Sequence, residues 1–209
     1  MAGYSDVKST FISDVVAADD NGYSVSAAVA NNAALVLGGA LADGGSVTNS
    51  SGRITEITSG GDDSGISFTV VGTDVNGDSM TESITGADTG AATGSKYFKT
   101  ITSITAVGDP VGTVIAGITA GAADVVFAGP TRLKGANIVN DAAAGTVEFL
   151  NTSDGSAISS GTSILTVGTV ASATVIRDMT IPDEGLHFKD GCFVKFDVGK
   201  CESITTFQA

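Results

Sequence analysis

GISFTVVGTDVNGDSMTESITG, residues 65 to 86, alternates apolar and polar side chains on either side of a short polar break. Ile66, Phe68 and Val70 fall on one face of the first run, with Ser67, Thr69 and Val71 on the other; Met80, Glu82 and Ile84 share a face of the second. Successive side chains of an extended chain point to opposite faces, so a period of two marks a half-buried strand. Asn76-Gly77 lies between the runs, and Asn-Gly suits a two-residue type I′ turn because both central residues need positive φ. Residues 65 to 86 therefore predict a β-hairpin, and with it a sheet protein.

The hairpin is flanked by a repeat. ITEITSGGDDSG, residues 54 to 65, returns as ITSITAVGDPVG, residues 101 to 112, with seven of twelve positions identical. Each copy ends one strand and leads through a Gly-Asp turn into the next. TVIAGITAG, after Gly112, is expected to pair with the strand from Tyr97 to Val107. The spacing of Ile54 and Ile57 is odd for a strand and predicts a bulge or a strand end at that point. Thr and Ile suit strands and Gly-Asp suits turns, and the repeat holds no nucleophile, paired base or ligand set, so it reads as scaffold.

Composition extends this reading to the whole chain. Of 209 residues 42% are hydrophobic, largely Ala, Val and Ile, with no Trp, three Tyr and nine Phe, a supply that suits sheets more than helical bundles. Twenty-eight Gly, only three Pro and frequent Ser, Thr, Asn and Asp separate short apolar runs. Later runs such as GTVEFLN, SILTVGTV, ATVIRDMTI and GCFVKFDVG are again short, β-rich and separated by Gly, Asn and Asp. Helical character is confined to residues 6 to 18 and 26 to 36, neither with a convincing cap and stripe. The predicted fold is all-β: two small β-sandwich or jelly-roll-like domains with Gly-, Asp- and Asn-rich turns. GITAGAAD, residues 117 to 124, marks the boundary, giving domains 1–123 and 124–209. The charge balance shifts there, from 13 acidic against 4 basic residues before Asp124 to 10 against 6 from Asp124 onward.

The formal charge of −13 opposes binding to phosphate backbones, so nucleic acid is not an expected partner. MAGYSDVKSTFISDVV carries Asp6 and Asp14 and lacks the uninterrupted apolar core of a secretory signal. The most apolar long stretch, residues 25 to 42, is broken by Asn31, Asn32, Gly38 and Gly39, so no membrane span is expected.

His187, the single histidine, alternates with Leu186 and Phe188 and reads as a strand residue rather than a base, with no nucleophile context around it. Asp74, Asn76 and Asp78 occupy the first, third and fifth places of a calcium loop, but Ser79 and Thr85 stand where Gly and Glu belong, so a polar hairpin turn is the better reading. Asp19-Asp20 and Asp62-Asp63 read as solvated loop carboxylates. Glu148, Asp183 and Glu184 contain a formal glycosidase pair, yet nothing in their spacing sets two of them across a cleft. LGGALADGG, residues 37 to 45, matches no phosphate loop and reads as turns. Cys192 and Cys201, eight residues between them, fit neither a redox nor a zinc spacing and read as two thiols on or near adjacent strands, with a cross-strand disulfide as the alternative. The chain is therefore expected to have no catalytic, cofactor-binding or metal-binding residues, and not to be an enzyme.

The stretch RITEITSGGDDSGISFTVVGTDVNGDSMTESITGADTGAATGSKYFKTITSIT, Arg53 to Thr105, resembles a module of virion structural proteins of tailed bacteriophages, especially marine and cyanobacterial ones. The run from GPTRLKGANIVN to ESITTFQA is similar to the carboxy-terminal β domain of other such proteins. The resemblance implies a structural component of a phage particle made in the host cytoplasm. Charge and length favour a head decoration or cement protein on the outer surface of the capsid, since −13 is repelled by packaged DNA. Its implied partners are the major capsid protein or other virion proteins and further copies of itself, a trimer being the arrangement that local threefold positions suggest. The alternative is a head-fibre or tail-fibre domain that binds host surface glycans.

Overall fold

The structure is a computed structural model and describes residues 6–14, 16–172 and 175–209. Residues 1–5 of the amino-terminal stretch, Val15, and Ala173 and Thr174 of the expected strand run ATVIRDMTI lie outside the described residues. The fold is all-β. Its strands are β1 (Lys8–Ser13), β2 (Asp19–Ala28), β3 (Ala42–Asp43), β4 (Ser46–Asp62), β5 (Ser67–Thr73), β6 (Ser79–Thr85), β7 (Asp88–Val107), β8 (Thr113–Phe127), β9 (Thr131–Asn140), β10 (Thr146–Asn151), β11 (Thr162–Gly168), β12 (Ile176–Thr180), β13 (Leu186–Phe188), β14 (Cys192–Asp197) and β15 (Cys201–Gln208). One short 3-10 turn, Gly155–Ser160, is capped by the Asp154 side chain, which accepts from the Ser156 amide. The two segments with helical character are not helical: β1 lies within residues 6 to 18, and β2 runs to Ala28.

The chain forms two compact units, residues 17–121 and residues 1–16 with 122–209. This differs from the expected 1–123 and 124–209 at the amino terminus. β1 pairs antiparallel with β15 from Lys8↔Gln208 to Ser13↔Ser203, so the first strand joins the carboxy-terminal unit. Only a long-range pairing could place it there, and such pairings leave no local pattern in the sequence.

In the unit 17–121 the neighbouring strands run in the order β8-β4-β7-β5-β6, with β2 beside β8 and β3 beside β4. β5 and β6 form the expected hairpin, from Ser67↔Thr85 to Thr73↔Ser79, burying Phe68, Val70, Met80 and Ile84. Its turn is not type I′. Asp74 accepts through its carbonyl from the Gly77 amide and donates its own amide to Asp78, and of the loop residues only Gly77 has positive φ, +88°. That is a three-residue loop, a tight turn followed by one left-handed glycine. The two-residue turn with both central φ positive occurs instead at Gly44-Gly45 (+58° and +81°), within LADGG, where Asp43 pairs with Ser46.

The repeat occupies the two central strands, β4 and β7. β8 does not pair with β7 as expected: β7 lies between β4 and β5, and β8 lies on the far side of β4. Each copy is thus flanked by the strand that follows the other copy, because the long antiparallel β4–β7 ladder takes the position that a simple hairpin partner would hold. The expected irregularity is present, as a register shift between Ile54 and Glu56.

In the other unit β1-β15-β9-β12 form one sheet, with β13 also on β9, and β11-β10-β14 with the end of β8 form the facing strands. Their inward residues share one core, including Ile12, Val126, Leu133, Ile138, Phe149, Phe188, Val194, Phe196 and Ile204.

Candidate functional site

The acidic residues singled out from the sequence are spread along the chain, on strands and in turns. Asp74 is buried, and one of its carboxylate oxygens accepts from the amides of Asn76 (2.8 Å) and Asp78 (3.0 Å). The side chain that would open a calcium loop is therefore oriented by the backbone it closes. Among the described residues no group of three or more His, Cys, Asp or Glu is arranged to hold a metal ion. Asp19 accepts from the Asn21 amide. Asp62 accepts from both the amide and the hydroxyl of Ser64, and these two bonds hold its carboxyl below the usual range.

Asp63 is not a solvated loop carboxylate. It is fully buried, and its Oδ1 accepts from the Val111 amide at 2.7 Å. Asp63 belongs to the turn of the first repeat copy and Val111 to the turn of the second, so this bond ties the two copies together. Gly60 and Gly61 approach Thr113 and Val111 so closely that a Cβ at Gly61 would stand 2.4 Å from the Val111 carbonyl oxygen. The repetition therefore serves two turns that pack on one another.

Glu148 and the pair Asp183 and Glu184 are not brought together. Glu148 on β10 faces Lys195 on β14 across the sheet, with a salt bridge of 3.3 Å. Glu184 pairs with Arg132 at 3.3 Å, and Asp183 takes a left-handed φ of +57° in the turn before β13. His187 is exposed and stands opposite Arg132, in a shallow cleft completed by Pro130, Thr131 and Ala209. Cys192 and Cys201 are free and buried, on β14 and β15, which belong to different sheets. They meet the shared core instead of a neighbouring strand, and burial pushes both thiols up to about 12. Thiols so protonated at neutral pH are poor nucleophiles and poor ligands.

Three features were not anticipated. Glu82, read only as one of three residues on a strand face, turns its carboxylate onto β7: it accepts from the Ser95 amide (2.6 Å), the Ser95 hydroxyl (2.8 Å) and the Lys96 amide (3.3 Å). It forms one wall of an open groove with Ile84, Thr93 and Gly94. A carboxylate between Met80 and Ile84 on a buried face needs partners, and that was its signal in the sequence. Asn49 donates to the Tyr23 hydroxyl and to the Phe98 carbonyl, joining three strands. Arg53 is fully buried, with its guanidinium donating to the Thr119 carbonyl at 2.5 Å.

Glu82, Asn49 and Arg53 thus tie strands of their own unit together. No helix among the described residues is long and apolar enough to cross a membrane. Comparison with protein families, with curated proteins and with solved structures returns no match to this chain.

Proposed function

We propose that the chain is a structural component of a phage particle, a decoration or cement protein on the outer surface of the head. The observation that supports this best is the use made of its buried acids. Asp63, Asp74 and Glu82 hold turns and strands of the chain itself, while most of the acids behind the −13 charge stay outside the core. A surface of that sign is repelled by packaged DNA and suits the outside of a shell. Copies repeated by symmetry stabilise a shell through many modest contacts, none of which need be strong. The resemblance of Arg53–Thr105 to phage virion modules points the same way. The partners in this reading are the major capsid protein and neighbouring copies.

The test is location together with leakage. Immuno-gold labelling of particles from the encoding genome should decorate the shell, and particles lacking the protein should release DNA at lower temperature or milder osmotic shock. Label confined to the tail tip, or unchanged leakage, overturns the proposal. Selective binding of the isolated protein on a glycan array favours a fibre domain in its place.

A further inference from the structure

The chain contains the dipeptide Asn-Gly twice, at Asn21-Gly22 and at Asn76-Gly77, and the fold treats the two oppositely. In this pair the backbone nitrogen of the second residue reaches the carboxamide of the first readily, because glycine has no Cβ in the way. The reaction needs the peptide plane between the two residues to turn until that nitrogen faces Cγ. What packs on the plane therefore decides whether it runs.

At Asn21-Gly22 the plane is held. Gly22 is buried on β2 and its carbonyl accepts from the Leu41 amide at 2.7 Å, while the next carbonyl, of Tyr23, accepts from the Gly38 and Gly39 amides. The Asn21 carbonyl oxygen lies so close to Gly39 that a Cβ there would stand 2.4 Å from it, and a Cβ at Gly22 would stand 2.7 Å from Leu41. Turning this peptide drives its oxygen into the Gly39 backbone. At Asn76-Gly77 the plane is open. Asn76, Gly77 and Asp78 are all exposed, and among the described residues nothing lies within 4 Å of a Cβ built on Gly77, whose φ is +88°. Of the bonds that close this loop, the one from the Gly77 amide to the Asp74 carbonyl is the longest, at 3.1 Å. Asp74 binds Asn76 and Asp78 at 2.8, 2.9 and 3.0 Å, which keeps the frame of the loop while the Gly77 peptide turns.

We infer that Asn76 is a site of spontaneous covalent modification, deamidation through a cyclic imide, and that the fold shields Asn21 from it. The Gly77 nitrogen gives its proton to hydroxide and bonds to Asn76 Cγ; the Cγ–Nδ2 bond breaks and ammonia leaves, taking a proton from water. Water then opens the five-membered imide at either carbonyl, leaving aspartate or isoaspartate. Either product sets a new carboxylate between Asp74 and Asp78 in a chain already at −13. Isoaspartate also routes the main chain through Cβ and lengthens a loop whose two amides share one Asp74 oxygen. The turn between β5 and β6 loosens as a result. The inference makes no use of the virion reading.

The test is to age the folded full chain at mildly alkaline pH and follow it by tryptic mass spectrometry. Ile54–Lys96 has Asn76 as its single side-chain amide and Ser9–Arg53 carries Asn21, so the two sites are read on separate peptides. In the folded chain Asn76 should convert about tenfold or more faster than Asn21, the ratio expected when two more ordinary hydrogen bonds must open at Gly22 and Tyr23 than at Gly77. In denaturant the two should convert at similar rates, because the dipeptides are the same. An isoaspartyl methyltransferase with labelled S-adenosylmethionine should mark Ile54–Lys96 in the aged wild type and leave it unmarked in Asn76→Gln, whose longer side chain would have to close a six-membered ring. Equal conversion of Asn21 and Asn76 in the folded chain, or no conversion of Asn76, overturns the inference. So does a preference that persists in denaturant, or a label that survives Asn76→Gln.

Discussion

The two units solve the same problem by different means. Among the described residues, 17–121 bury four charged side chains, Arg53, Asp63, Asp74 and Glu82, and use them to hold turns and strands. The unit of residues 1–16 and 122–209 buries one, Asp14, and relies on large apolar groups, with Phe149, Phe188, Phe193 and Phe196 almost wholly enclosed. Burying a charge is unfavourable unless its hydrogen bonds are met, so polar ties confer geometry more than stability. Apolar burial confers stability with little directional control. The first unit should therefore fail through lost ties, and the second through cavities.

The largest effect tests the second half of that contrast. Phe149→Ala should cost about 3–5 kcal/mol, the range for a buried aromatic replaced by alanine. Hydrogen exchange should show protection lost across β9, β10, β14, β15 and β1 while β4 and β7 keep theirs. Equal loss in β4 and β7 would break the division into two units. Glu82→Ala should come next, at about 1.5–2 kcal/mol, the low end for hydrogen bonds to a charged group, because the amides of Ser95 and Lys96 lose their acceptor beside an open groove where water replaces it in part. Here exchange should quicken in β6 and around Ser95 first, leaving the Phe149 core protected.

A third effect is smaller at moderate pH and confined to the thiol-bearing unit. Cys192 and Cys201 ionise near 9 when exposed and are pushed up to about 12 by burial. Below pH 9 both states hold the proton and stability is unaffected. As pH rises past 9 the unfolded chain releases protons that the folded chain keeps, so stability falls until the folded thiols ionise near 12. By pH 10 each thiol should account for about 1 kcal/mol of loss. Denaturant titrations at pH 8 and pH 10 should show a smaller drop for Cys192→Ala with Cys201→Ala than for the wild type. An equal drop would mean the thiols are not the titrating groups.

How much of this was legible follows from range. The β5–β6 hairpin could be read because its signal is local: alternation, a polar break, a glycine. The type I′ turn expected at Asn76-Gly77 fails because Asn76-Gly77 and Gly44-Gly45 both satisfy the same rule, and at the former the Asp74 side chain fixes a three-residue loop. The repeat identified its two strands as related, yet a repeat says nothing about which strands lie beside them, so the β4–β7 pairing was missed. The pairing of β1 is illegible for the same reason, since its partner β15 lies almost two hundred residues away. Asp63 looked like one half of an acidic dipeptide, and only its bond to Val111 shows that Asp62 faces water while Asp63 does not.

The smallest effect separates a polar tie from a ligand. If Asp74 serves the turn, its oxygen is already engaged by the Asn76 and Asp78 amides, and calcium must compete with bonds that fix the loop. Asp74→Asn keeps an acceptor oxygen and should cost under about 0.5 kcal/mol, whereas Asp74→Ala frees both amides and should cost about 1–2 kcal/mol, the range for losing such a cap. Millimolar calcium should leave the wild-type melting temperature within about 1 °C, because a ligand that binds only the folded state shifts it only in proportion to that binding. A calcium-dependent rise that vanishes in Asp74→Asn would turn this loop from scaffold into a site. It would also make the polar-tied unit the one that responds to its surroundings, while the Phe149 core stayed indifferent.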